Sequence, residues 1–159
     1  MSNLPYAKSF RDLFAYQQSR TLAKDIFELS KRFPREELYS LTDQVRRSSR
    51  SVGAQIAEAW AKRRYERSFV SKLTDADGEQ QETQHWLETA FDCGYLEEAE
   101  LRDLLGRCQR IGKLLSGMIE KSDMFCGEIK PALKESGAEY IVNPEMDGTV
   151  DTFFITDDP

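Results

Sequence analysis

Phe33 to Trp60 reads FPREELYSLTDQVRRSSRSVGAQIAEAW, and its spacing decides the fold. Pro34 suits the first turn of a helix, where its fixed φ fits and its missing N–H would have had no partner. Glu36 and Glu37 follow at the positive end of the helix dipole. Leu38, Leu41, Val45, Ser48 or Ser49, Val52, Ile56 and Ala59 then recur in steps of three and four. A near-heptad stripe of this kind is what one helix of a left-handed bundle buries. Set at 100° intervals, the other residues divide into two sectors. Arg46, Arg50, Gly53, Ala57 and Trp60 share one, and Arg47, Ser51, Ala54 and Glu58 share the other, opposite the core. A solvated face normally carries Lys, Glu and Gln. Here the middle turns carry small residues, and a glycine inside a helix costs about 1 kcal/mol relative to alanine. Close approach by a second subunit is a reason to keep it, which marks Gly53, Ala54, Ala57 and Trp60 as an expected subunit interface. The alternative is that they are tolerated helix fillers. Arg47, Ser51 and Glu58 are either a partly buried polar chain or solvated charges.

Outward from this stretch the same periodicity repeats. Leu13, Tyr16, Leu22, Ala23, Ile26, Phe27 and Leu29 predict a first helix from Phe10 to Lys31, stopped by Arg32-Phe33-Pro34 because a residue before proline avoids the helical region. The second helix is expected to run to Lys62. A third, Tyr65 to Cys93, turns Phe69, Leu73, Ala76, Gln80, Thr83, Leu87 and Ala90 inward, and Gly94-Tyr95 stops it. A fourth, Glu97 to Met124, carries Leu101, Leu104, Leu105, Cys108, Ile111, Leu115, Met118 and Ile119. Helices of roughly 20–30 residues are roughly 30–45 Å long. Similar lengths with short connections predict an all-α protein, an antiparallel up-down four-helix bundle over residues 1–126.

Residues 127–159 differ. They hold eight acids against two lysines, the whole of the chain's net −6, so residues 1–126 are neutral. This acidic C-terminal tail has strand-like Tyr140–Val142 and Thr152–Ile155 with turn signals between them. It is expected to form a short hairpin, to have no fixed structure, or to dock on a partner. Within the neutral part the charges are segregated. Arg46 to Lys72 holds eight bases against Glu58 and Glu66, while Asp75 to Asp103 holds only Arg102 as a base. Local clusters of this kind, more than net charge, decide whether polyanions are attracted.

For nucleic acid the candidates are Arg46, Arg47, Arg50, Lys62, Arg63, Arg64 and Arg67. The arginine fork suits phosphate, and Trp60 and Tyr65 flank the cluster as stacking surfaces for unpaired bases. The competing role for the arginines is ion pairing within the bundle, and for Trp60 packing on a neighbouring helix. No catalytic constellation and no phosphate loop is found. Glu82 and His85 form one Glu-x-x-His step, but di-iron bundles need two, and His85 is the one histidine. Cys93, Cys108 and Cys126 form no CxxC, so neither a metal nor a cofactor is expected. Scattered cysteines, no apolar run long enough to span a bilayer and no signal-like start point to a cytoplasmic protein off the membrane.

These residues also carry a resemblance. FP-x-E-E-x-Y-S-L-x-x-Q-x-R-R from Phe33, then Ser51-Val52 and Ile56-Ala57-Glu58, resembles the four-helix-bundle proteins encoded within intervening sequences of bacterial 23S rRNA genes. Phe69, Leu73, Ala76, Gly78 and Glu82-Thr83 keep that family's spacing, and Gly94-Tyr95-Leu96 its step into the last helix, so the likeness spans Phe10 to Ile119. Gln55 and Ala59 stand where the family usually has Asn and Gly, and Glu79 where it has a small residue. The resemblance implies a ring-shaped homopentamer. It extends to the accessory protein of diversity-generating retroelements, a basic pentamer that binds nucleic acid and a reverse transcriptase. The expected function is a non-enzymatic oligomer binding structured RNA or other nucleic acid through helices 2 and 3. The alternative is a scaffold or accessory subunit for a protein partner, with no direct nucleic-acid role.

Overall fold

Residues 7–126 are described by a computed structural model, and within them every regular element is helical. Four helices are long: α1 Phe14–Ser30, α2 Asp43–Ala61, α3 Glu66–Asp92 and α4 Glu98–Glu120. A fifth, α5, is Ser122–Cys126. The acidic stretch, with its expected hairpin, lies outside the described residues. No helix among the described residues is long and apolar enough to cross a membrane.

All seven positions expected to face inward on α3 are buried. On α2 the stripe holds from Leu41 to Ala59, but Leu38 is 39% exposed. The cause is local. Arg35–Glu37 is a 3-10 turn and Leu38–Thr42 a π turn, so regular α-helix starts only at Asp43. The i→i+5 bonding of a π turn winds more loosely than the α-helix, and Leu38 falls out of register with the stripe. The start of the first helix is likewise later than its periodicity suggested. Asp12 Oδ2 accepts the Lys8 and Ser9 N–H groups at 2.8 and 2.9 Å, closing Phe10–Asp12 into a separate 3-10 turn. Such local side-chain bonds compete with helix. The expected fourth helix breaks at Lys121, and α5 follows. Gly94, at φ +78, ends α3. The Tyr95 N–H reaches back to the Ala90 carbonyl at 2.9 Å, a closure that favours glycine at the preceding position.

The helices pack in chain order, α1 on α2, α2 on α3, α3 on α4, with α1 also against α4. Their cross-links run with one residue number rising as the other falls. Ser30 meets Arg46 and Ser19 meets Gly53. Ser48 meets Thr83 and Gln55 meets Lys72. Asp25 meets Arg107 and Arg32 meets Glu100. Leu22, Ile26, Val45, Val52, Ile56, Phe69, Leu73, Leu87, Ile111 and Leu115 fill the centre. Hydroxyls line the tightest crossings, and each is satisfied locally. Ser19 donates to the Tyr16 carbonyl at 2.7 Å, and Thr83 Oγ1 lies 2.9 Å from Ser48 Oγ. No buried side-chain nitrogen or oxygen among the described residues is left without a partner.

Gly53 is buried in its own chain. A Cβ there would sit 3.1 Å from the Ser19 hydroxyl, which is held by the Tyr16 carbonyl, and 3.6 Å from the Tyr16 ring. Gly78, in the middle of α3, is exposed with nothing within 4 Å of such a Cβ. Gly78→Ala is expected to stabilise the fold by about 0.5–1 kcal/mol through helix propensity. Gly53→Ala forfeits that gain by displacing Ser19, and falls below Gly78→Ala by at least about 1 kcal/mol in urea unfolding.

Candidate nucleic-acid interface

The turn between α2 and α3 is short and heavily bonded. The Lys62 N–H donates to the Glu58 and Ala59 carbonyls at 3.0 and 3.1 Å, and the Tyr65 N–H to the Lys62 carbonyl at 3.0 Å. This holds Lys62, Arg63 and Arg64 at one corner, with Arg67 in the first turn of α3. The positive end of the α3 dipole adds to their potential. Lys62, Arg67, Ser68, Ser71 and Lys72 line a groove of about 200 Å³. It adjoins a second of about 420 Å³ lined by Glu66, Arg67, Val70, Ser71 and Ser122. The two share Arg67 and Ser71 in their linings. Tyr65 beside it is 53% exposed.

Lys72 is anchored in this wall. Its Nζ lies 3.0 Å from Glu58 and 3.4 Å from Asp75, and donates to Gln55 Oε1 at 3.2 Å. The Glu58 hydrogen bond, opposed by partial burial and helped by Asp75, holds the ammonium above its ordinary pKa. Lys72, Ser68 and Ser71 were not among the sequence candidates. Their signal was present, since Arg67 and Ser71, and Ser68 and Lys72, are four apart on one helix face, but serines carry no charge to draw attention.

The seven candidate cations do not form one patch. Lys62, Arg63, Arg64 and Arg67 gather at the corner. Arg46 and Arg50 lie on the α1 side. Arg46 Nε donates to Ser30 Oγ at 2.7 Å, and both guanidinium groups lie over the Phe27 ring, at 4.8 and 5.3 Å. Arg47 is exposed and acts on Glu79 of α3. Burial pushes that carboxyl up, Glu82 pushes it further, and Arg47 pulls it back. Arg46 and Lys62 are also about 24 Å apart along α2 at 1.5 Å per residue.

The structure bears on three further expectations. The close approach that Gly53 permits is made by Ser19 and Tyr16 of α1 in the same chain. Ala54 is exposed, while Ala57 and Trp60 are half-buried. Arg47, Ser51 and Glu58 are not one chain of polar contacts, because Glu58 turns to Lys72 and Arg47 toward Glu79. Trp60 is not an open stacking surface. The Arg63 guanidinium covers its ring at 3.4 Å, and Arg63 Nε also donates to the Trp60 carbonyl at 2.9 Å.

Elsewhere the chemistry is quieter. A groove of about 730 Å³ between α3 and α4 is lined by Asp77, Gln80, Gln84, His85, Glu88 and Lys113 among others. Its acids offset its lysine, so it offers polyanions little. Trp86 Nε1 donates to Glu82 at 3.0 Å, and His85 rests on the Trp86 ring. No group of His, Cys, Asp and Glu among the described residues could hold a metal ion. Cys93 is exposed, whereas Cys108 is buried, and burial pushes its thiol up to about 12.

A basic corner on four long helices defines a class of helical protein in which surface charge is the most prominent chemistry. Within that class the chain belongs to the 23S rRNA-intervening sequence protein family, whose model matches residues 11–117. It is similar to the crystal structure of a protein with unknown function from the S23 ribosomal protein family from Bacteroides thetaiotaomicron VPI-5482. The two are 29% identical with a TM-score of 0.61, over 67% of this chain and 95% of that one. No curated protein matches.

The Arg63–Trp60 stack is open to direct measurement. In a Trp86→Phe background, Arg63→Ala is expected to shift Trp60 emission to the red and to cost about 0.5–1 kcal/mol of stability. Unchanged emission would show that the guanidinium does not cover the ring in solution.

Proposed function

We propose that this chain is a non-enzymatic, antiparallel up-down four-helix bundle that binds RNA or other nucleic acid at the Lys62–Arg67 corner. The inverse numbering of the cross-helix contacts supports the up-down order. The observation that carries the function is the groove in which Lys62 and Arg67 face Ser68 and Ser71 beside exposed Tyr65. Phosphates are met by cations and hydroxyls, which position a strand without reading its sequence. Tyr65 adds a surface on which an unpaired base can stack. The family description names an rRNA intervening sequence, which agrees with an RNA ligand. Arg46, Arg47 and Arg50 are left to the α1 and α3 contacts.

The test is fluorescence anisotropy with labelled single-stranded and hairpin RNAs. With about five phosphates contacted, log K falls against log salt with a slope near −4. Lys62→Glu with Arg67→Glu weakens binding by at least about tenfold, whereas Arg46→Gln has little effect on it. Equal losses from both variants would remove the corner from the assignment, and no binding at low salt would end the nucleic-acid reading.

A second reading is self-association, with a protein partner such as a reverse transcriptase docking on the assembly. Ala54 favours it, a small residue exposed on α2 with half-buried Ala57 next to it. The resemblance suggests a cytoplasmic homopentamer. Sedimentation equilibrium of the wild type is expected to give a mass several times 18.3 kDa. Ala54→Arg is expected to reduce it, and a wild-type monomer at micromolar concentration would refute the ring.

A further inference from the structure

We propose that the acidic stretch Gly127–Pro159 of this same chain occupies the basic corner, so that an incoming polyanion must displace it. The regulatory meaning rests on the nucleic-acid reading above, while the docking itself does not. The first observation is where the stretch sets out. α5 is pinned to the start of α3, with Ser122 Oγ donating to Glu66 Oε1 at 2.7 Å and Phe125 stacked on Phe69 at 5.6 Å between ring centres. The described residues therefore end, at Cys126, beside the first turn of α3. The groove lined by Ser122 shares Arg67 and Ser71 with the groove that Lys62 lines.

The second observation is charge. The stretch holds eight acids and two lysines. The corner holds Lys62, Arg63, Arg64 and Arg67 together with the positive end of α3. The opposite end mixes both signs: Lys31, Arg32 and Arg35 are exposed there along with Glu36, Glu97 and Glu98, and Arg32 is already paired with Glu100. Carboxylates and phosphates ask for the same donors, so a groove of cations and hydroxyls that suits one suits the other. The third observation is apolar surface at the same end. Tyr65 is 53% and Met124 60% exposed, and the stretch carries Tyr140-Ile141-Val142 and Phe153-Phe154-Ile155. Reach does not limit the contact, since thirty-three residues span up to about 110 Å when extended. Tethering also gives the carboxylates an effective concentration on the order of millimolar, enough to compete with a weakly held strand.

The experiment keeps the full chain and removes charge only from the stretch: Glu145→Gln, Asp147→Asn, Asp151→Asn, Asp157→Asn and Asp158→Asn together. Two quantities are compared with wild type. One is the set of backbone amide shifts over residues 62–72. The other is affinity for a labelled twenty-nucleotide polyuridine RNA. Docking predicts shift changes at Lys62 to Lys72. It also predicts RNA binding at least about tenfold tighter in low salt, a gain that shrinks as salt screens the contact. Shift changes confined to residues beyond 126 would overturn the inference whether or not RNA binds. Unchanged affinity in a variant that does bind RNA would overturn it too. Shift changes at the corner with no RNA binding by either protein would support occupation by the acidic stretch and would sink the nucleic-acid reading alone.

Discussion

The structure depends on one constraint: α2 must be covered on two sides at once. Val45, Val52 and Ile56 are fully buried between α1 and α3, and neither neighbour alone could enclose them. Close packing on both sides requires small groups at the crossings. Gly53 admits Ser19 and Tyr16 of α1, and Ser48 admits Thr83 of α3. The hydroxyls at these points are satisfied by carbonyls of their own helices or by each other, so close approach leaves no buried polar atom stranded.

That constraint also sorts the charges. An arginine on α2 beside the stripe is drawn into the seam with one neighbour. Arg46 and Arg50 flatten on Phe27 of α1, where the guanidinium gains from the ring face. Arg47 and Glu58 work against α3. The bases are densest where α2 ends, with Lys62, Arg63, Arg64 and Arg67 within six residues at the corner before α3.

Most of the helical fold was legible in the chain. The inward positions of α3 could be read directly, because a long helix free of special turns keeps 3.6 periodicity throughout. So could the stop at Gly94, which needs positive φ. Helix ends were less legible. The π turn at Leu38–Thr42 and the 3-10 turn at Phe10–Asp12 depend on short-range bonds that periodicity does not register. For the site, the corner cations were among the candidates, but so were three arginines used within the molecule. Ser68, Ser71 and the role of Lys72 emerged only when α2, α3 and α5 were set side by side.

By itself the sequence determined that this chain forms long amphipathic helices, that its bases concentrate between Arg46 and Lys72, and that its excess acid lies beyond Cys126. Those are properties of spacing and composition, and need no neighbour. Only the tertiary structure decided which small residue packs against α1, which arginines lie over Phe27, and which serines join Lys62 and Arg67 in a groove. A helical wheel gives the angle of a side chain about its own axis. What that side chain meets depends on which helix lies alongside and at what height, and distant parts of the chain set both.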